Sequence, residues 1–489
     1  MLMLFVIIGI LTSNKITPAN LSIVFSIGGT YLASIDSSWK YSEWTLFLNS
    51  DYYAYWLTRI SSLVMILSSL SLMFFYNSPK SPSLNSAFYA NFFLVVMFFS
   101  SIHMLYFYLI FEISVIPIFL MVTGWGYQPE RLKASYAIIF YTMVSSVPLI
   151  TCIITVMVIN RLSQFNFLSS DQGFGSVRIL IALFTRLGFI VKLPMYGVHL
   201  WLPLAHVEAP VYGSIILAGI LLKLGGLGVI RLAPILSRSS CCNMFSIVSL
   251  VGTSLVGITC LKITDLKSVI AFSSVAHIGV VVIIILYGVK LFSWAGAFII
   301  LTHAFRSSSI FYGRYVIYIV RGTRNILLNK GGVALFPGFA LCWLVAVMAS
   351  IGTPPFINLA SEVYSLFLRT NFLGSLSVFL VMIFMLGRCY HLIIYRSSQQ
   401  EISRWDSSSL GFRVNRISIV VMHLHSIVLI LCFILLIALG MVLAGALLNT
   451  VKDWEVYLQA PELFIMVPAL LGLKVRRLHN SLLGSFLLI

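Results

Sequence analysis

Charge is scarce in this chain. Of 489 residues only 9% are Asp, Glu, Lys or Arg and 60% are hydrophobic, where soluble domains carry roughly 25% charged residues. That deficit excludes an ordinary soluble core. Acidic residues are rarer still, 14 against 31 Lys and Arg, which leaves a net charge of +17. No basic stripe accompanies the excess. The Lys and Arg residues lie mostly in short gaps between apolar runs, which argues against nucleic acid and reads as membrane orientation signals. C-x-x-C spacing is missing from the seven cysteines, Cys152, Cys241, Cys242, Cys260, Cys342, Cys389 and Cys432. Most of them sit inside apolar runs as small buried hydrophobes, and iron–sulfur ligation lacks its clustered thiolates. The first segment, Met1 to Leu11, has neither a basic run before it nor a small-residue cleavage site after it, so no removable signal peptide and no mitochondrial-type presequence is expected.

What fills the chain is apolar runs of about 20 residues, the length a hydrocarbon layer about 30 Å thick requires of a helix. The pattern predicts an all-α polytopic membrane protein of about 14 transmembrane helices. Helices are expected to begin near Leu2, Leu21, Tyr55, Ala87, Met104, Ser135, Ile179, Val211, Phe245, Ser268, Phe292, Val333, Phe372 and Ser418. Loops on one side carry more basic residues, among them Arg131, Lys133, Lys262, Lys267, Arg314, Arg321, Arg324, Arg396 and Arg404. That side should face the matrix or cytoplasm, with both termini opposite. Beyond Met441 the tail suggests an amphipathic or interfacial segment.

Two helices are interrupted by proline in mid-run. One reads Phe189-Ile-Val-Lys-Leu-Pro194-Met-Tyr-Gly-Val-His-Leu-Trp-Leu-Pro203, the other Ala349-Ser-Ile-Gly-Thr-Pro354-Pro355-Phe-Ile-Asn-Leu-Ala-Ser-Glu362. Unwound backbone is tolerated at membrane depth only where protein or a wet cavity satisfies it, and broken helices at matching places in two halves point to an inverted-repeat transporter. The expected organisation is therefore N-terminal helices in 1–85, a first antiporter-like repeat in 86–233, a second in 244–396, a final helix in 417–445 and an extension in 446–489. Each of these two inverted five-helix repeats contains one Pro-broken helix.

Ionisable side chains in the bilayer interior are costly, so each marks either a polar path or a paired structural site. Glu112 follows Leu105-Tyr-Phe-Tyr-Leu-Ile-Phe. Lys192 stands directly before the first proline break, and Lys223 lies deep in Ile215-Ile-Leu-Ala-Gly-Ile-Leu-Leu-Lys223-Leu-Gly-Gly, too far from either helix end for easy snorkelling. Gly225, Gly226 and Gly228 suggest close helix packing, since a phosphate loop cannot work inside lipid. His277, His303 and Glu362 extend the series; taken alone, a histidine on an apolar face is as readily a hydrogen-bonded packing residue. His199 is a further candidate, while His206 and Glu208, in Pro203-Leu-Ala-His-Val-Glu-Ala-Pro210, are as well explained by loop anchoring. Burial disfavours the charged form of a lysine or a glutamate and a nearby opposite charge restores it, so withdrawing the partner ejects a proton. Such a displacement is worth about 4 kcal/mol, the size of moving one charge against about 180 mV.

The segments Phe111-Glu112, Gly124-Trp-Gly-Tyr-Gln-Pro-Glu-Arg131, Val191 to Pro203, Ala205-His-Val-Glu-Ala-Pro210, Leu217 to Gly226 and Asp265-Leu-Lys-Ser-Val-Ile-Ala-Phe-Ser-Ser-Val-Ala-His277 resemble the subunit 4 family of respiratory NADH dehydrogenase (complex I) and its bacterial antiporter-like relatives. The resemblance covers the fourth to twelfth helices and weakens at both ends. It implies a proton-translocating membrane-arm subunit in which Glu112 and Lys192 pair in one half-channel and Lys223 links the halves. His277 and His303 continue the axis, and Glu362 ends it; Glu362 stands where sister subunits usually carry lysine. By the same resemblance the chain itself holds no NADH, flavin, cluster or metal. FMN, iron–sulfur clusters and ubiquinone belong to other subunits, and the partners are neighbouring antiporter-like subunits and membrane lipids in the mitochondrial inner membrane, or less favoured, a bacterial plasma membrane. Leu204, Arg186 and Arg306 depart from the family pattern. The rival readings are a free-standing cation/proton antiporter of the same fold, a haem-bearing oxidoreductase, for which His277, His303 and His423 are too sparse, and a purely structural filler.

Overall fold

With no water to satisfy N–H and C=O groups, apolar runs of this length can bury their backbone only as helices. The computed structural model describes residues 42–43, 49–50, 52–72, 81–160, 163–165, 178–232, 240–286, 290–354, 356–373, 377–400 and 418–432. The helices expected near Leu2 and Leu21, Arg404 and the extension at 446–489 lie outside them.

A two-residue antiparallel pairing of β1 (Ser42–Glu43) with β2 (Asn49–Ser50) precedes the helices. They are α1 (Tyr52–Ser71), α2 (Ser81–Ser100), α3 (Met104–Ile113), α4 (Val115–Trp125), α5 (Arg131–Asn160), α6 (Arg178–Lys192), α7 (Trp201–Glu208) and α8 (Val211–Ile216). A π-turn over Leu217–Leu221 leads into α9 (Leu222–Leu232). There follow α10 (Ser240–Lys262), α11 (Leu266–Ile285), α12 (Lys290–Arg321), the short α13 (Gly332–Leu335), α14 (Pro337–Ile351), α15 (Ile357–Leu373), α16 (Ser377–Gln399) and α17 (Ser418–Cys432). Among the described residues, seven helical stretches are long and apolar enough to cross a membrane: Ser83–Ser100, Met104–Trp125, Arg131–Ile159, Val211–Leu232, Met244–Lys262, Leu266–Ile285 and Val378–Gln399.

Burial sorts these helices by position. The stretch from α8 to α9 is buried along its whole length and packs against α1, α2, α6 and α12. Its small residues permit the close approach: a side chain at Gly225 would stand 3.0 Å from the Phe189 carbonyl, one at Gly226 2.5 Å from Ile300, and one at Gly228 would strike the Phe189 ring. The three glycines thus do the packing expected of them. At the other extreme, α5 turns Tyr136, Phe140, Met143, Val147 and Val158 outward, and α16 exposes Val378, Met382, Met385 and Leu392. Apolar side chains on an outer face are the signature of a molecule whose solvent is hydrocarbon.

Both proline breaks are present. Pro194 offers no N–H, and α6 ends at Lys192. The chain then turns through Gly197, at φ 99°, before α7. The Val191 carbonyl freed by the break accepts from Trp201 Nε1 at 3.0 Å. In the second break α14 ends at Ile351, Gly352 adopts φ 74°, and α15 resumes at Ile357. One further division appears: the expected single helix from Met104 is divided at Ser114 into α3 and α4. Pro117 provides the cause, because the Ile113 carbonyl loses its donor four residues on.

Candidate functional site

Glu112 projects from the last turn of α3 and Lys192 from the end of α6. The two meet with Lys192 Nζ 3.9 Å from Glu112 Oε1. Lys192 is wholly buried, and its ammonium donates to the Phe111 carbonyl at 2.5 Å and lies 3.1 Å from the centre of the Phe111 ring. A carbonyl, a π-face and a carboxylate thus surround this one side chain. Glu112 Oε1 accepts no hydrogen bond, while Ser146 of α5 faces the carboxyl group.

Lys223 sits two residues beyond the π-turn, a local widening that recurs at functional positions in helices. Its ammonium reaches back to the Ala218 carbonyl and across to His303 Nδ1 of α12 at 2.9 Å. His303 is 2% exposed. His206 of α7 is fully buried and stacks on Phe311 with centroids 4.6 Å apart. It lies within electrostatic reach of Lys223, Lys267 and His303, and both its ring nitrogens lack a hydrogen-bond partner.

A third group gathers around Arg306, one turn after His303. Arg306 is 4% exposed and interacts electrostatically with Lys223, His277, His303, His391, Tyr390 and Glu362. His277 Nε2 lies 3.5 Å from the Tyr390 hydroxyl and its ring 6.2 Å from that of His391. Glu362 accepts from Asn358 Nδ2 at 2.7 Å and forms a pair with Arg388 at 3.8 Å.

The structure therefore joins Glu112 to Lys192, Lys223 to His303, and His277, His303 and Glu362 through Arg306. His199 stays apart: its Nδ1 accepts from the Gly197 amide at 3.3 Å and its ring stacks on Tyr196, so it braces the first break. Glu208 is buried too, but it faces Lys267, Arg324, Glu130 and Asp265 instead of the groups around Lys192, Lys223 and Arg306.

Two assignments need correction. Lys267 and Arg314, read above as loop charges that orient the chain, are both buried within helices, Lys267 in the first turn of α11 and Arg314 inside α12. Lys267 Nζ donates to the carbonyls of Val207 and Ala209, each at 2.7 Å, and so clamps the connection between α7 and α8. Tyr390 and His391 also belong to the site; their sequence signal is a Tyr-His pair inside an apolar run shortly after Arg388. Among the described residues no group of three or more His, Cys, Asp and Glu side chains gathers with metal-ligand geometry.

The model of the NADH:quinone oxidoreductase/Mrp antiporter transmembrane family matches residues 101–389, which contain all of these groups except Tyr390 and His391, just beyond its end. NADH-ubiquinone oxidoreductase chain 4 of Locusta migratoria is 33% identical over 80% of this chain and 88% of its own length, and that of Lumbricus terrestris 32% over 81% and 89%. Among solved structures, a chain of respiratory complex I from Thermus thermophilus superposes with a TM-score of 0.73 at 18% identity, covering 87% of this chain and 94% of its own. A chain of the membrane-bound sulfane sulfur reductase, an archaeal respiratory complex, superposes with a TM-score of 0.78 at 15% identity, covering 90% and 93%. Motif, fold and likeness agree, and the chain belongs to the NADH:quinone oxidoreductase/Mrp antiporter transmembrane family, in its NADH-ubiquinone oxidoreductase chain 4 branch.

Proposed function

We propose that this chain is a proton-translocating membrane-arm subunit of NADH:ubiquinone oxidoreductase, multi-pass in the mitochondrial inner membrane. It moves protons through two linked half-channels, driven by conformational and electrostatic changes that begin with quinone reduction in other subunits. NADH, flavin, clusters and quinone are held elsewhere in the complex, and the adjoining surfaces are those of other antiporter-like subunits and lipid. The two half-channels correspond to the inverted repeats at 86–233 and 244–396, each centred on its broken helix.

The observation that carries this reading is a row of ionisable groups, buried except for the half-buried Glu112, laid across both halves. It runs from Glu112 and Lys192 to Lys223 and His303, then to His277 and Glu362. Glu112 and Lys192 form a loose pair, at 3.9 Å, without a hydrogen bond between them. A loose pair opens at small cost, and opening it leaves a lysine in an apolar site, which favours release of its proton. Lys223 and His303, at 2.9 Å, already share one hydrogen bond along which a proton can pass. His206 is suited to feed this pair, being an unpartnered imidazole beside Lys223.

A free-standing antiporter would present the same row, but the likeness of this chain to chain 4 relatives over most of their length favours the respiratory complex. The test is Glu112→Gln and Lys192→Met in the assembled complex in sealed inner-membrane vesicles. NADH-driven proton uptake is expected to fall roughly tenfold, about 1.4 kcal/mol. Unchanged uptake in both variants would remove the assigned path. A chain that purifies apart from NADH-oxidising activity would favour the antiporter.

A further inference from the structure

The break between α14 and α15 brings together oxygen donors of a kind that bind small hard cations. Because α14 ends at Ile351, the Ser350 carbonyl is among the last four of the helix and lacks an intrahelical donor. It receives two long hydrogen bonds, from Asn358 Nδ2 and Arg306 Nη1, each at 3.4 Å. The Asn358 amide also holds Glu362 Oε1 at 2.7 Å. Glu362 Oε2 is buried and accepts no hydrogen bond. Gly352 closes the same space, since a side chain there would stand 3.0 Å from Oε2. A carbonyl at a half-helix C-terminus and a carboxylate are donors with which broken transporter helices hold coupling ions, and here the Asn358 NH2 group bridges the two.

We propose that Arg306 is a specificity-determining residue whose guanidinium acts as a tethered cation, bound to the Ser350 carbonyl within electrostatic reach of the Glu362 carboxylate at the break between α14 and α15, so that this half of the chain passes protons and excludes sodium. The inference rests on the proton-translocating reading of the row. An arginine side chain stays charged at neutral pH and cannot diffuse away. A sodium ion arriving at Glu362 would have to shed its hydration shell beside that permanent charge, with Arg388 Nη2 also 3.8 Å from Oε2. A proton feels the same charge but has no hydration shell to shed. It travels by hand-off between His303, His277 and the carboxylate, and needs no coordination shell. The groups that face Arg306 come from five elements: Lys223 of α9, His277 of α11, His303 of its own helix, Glu362 of α15, and Tyr390 and His391 of α16. Removing the guanidinium would uncover the donor set to all of them.

The experiment compares Arg306→Ser, Arg306→Gln and Arg306→Lys in the assembled complex in sealed vesicles, reading radioactive sodium uptake during NADH oxidation beside proton uptake. In at least one neutral variant sodium uptake should exceed that of the wild type roughly tenfold, while Arg306→Lys, which keeps a tethered cation, should match the wild type. A plain structural strut would lower assembly without opening a sodium route. Sodium uptake at the wild-type rate in both neutral variants overturns the proposal. So does failure of both to assemble in sodium-rich medium, where a true cation site would be refilled. Glu112→Gln serves as a parallel control: proton uptake that survives it sinks the translocation reading, whereas the sodium comparison among the Arg306 variants stands or falls separately.

Discussion

At the scale of single residues, the site depends on how each buried charge is satisfied. Lys267 is the plainest case: one ammonium holds two carbonyls, at Val207 and Ala209, on the segment that carries His206 and Glu208. Lys267→Met removes both bonds and strands both oxygens, which should destabilise the fold by about 3 kcal/mol. A lowered thermal transition of the detergent-solubilised complex would show it, and an unchanged one would mean that the clamp is dispensable. Glu112, Lys192, Lys223 and Glu362 were legible in the sequence because each interrupts an apolar run. Lys267 and Arg314 were not, because a cation near the end of an apolar run looks the same whether it turns outward to water or inward to a carbonyl. Arg306 stood out as a departure from the family pattern, yet its role at the Ser350 carbonyl depends on a contact 44 residues away that no local pattern encodes.

At the scale of elements, the two breaks place the charges. Pro194 ends α6 at Lys192, and that termination aims the ammonium at the Phe111 carbonyl. Restoring a donor with Pro194→Ala should let the helix continue, a change favoured by up to about 3 kcal/mol, and swing Lys192 off Glu112. NADH oxidation measured with an uncoupler present should persist while NADH-driven proton uptake drops several-fold; uptake at the wild-type rate would show that the break does not position the lysine. Proline made both breaks legible, and the apolar runs made most of the helices legible. The π-turn over Leu217–Leu221 was invisible, because its residues, Leu-Ala-Gly-Ile-Leu, suit an ordinary helix; packing against α1 and α12 accompanies the extra residue per turn. The division at Ser114 could have been read from Pro117, which was passed over as an ordinary residue of the run.

At the scale of the whole molecule, the outward apolar faces of α5 and α16 and the buried stretch from α8 to α9 describe a membrane protein with its polar groups drawn inward. The sequence supplied that class directly, since composition alone excluded a soluble core. The arrangement of the row was less accessible: that Lys223 pairs with His303 while His199 and Glu208 face elsewhere depends on which helix faces touch, and nearly uniform apolar runs do not distinguish their faces. The central claim is that the row carries protons from one half to the other through Lys223. The direct measurement is the ratio of protons translocated to NADH oxidised, taken in sealed vesicles bearing the complex with Lys223→Met and compared with the wild type. The account expects a lower ratio with electron transfer to quinone retained under uncoupled conditions. An equal ratio at equal NADH oxidation would contradict it.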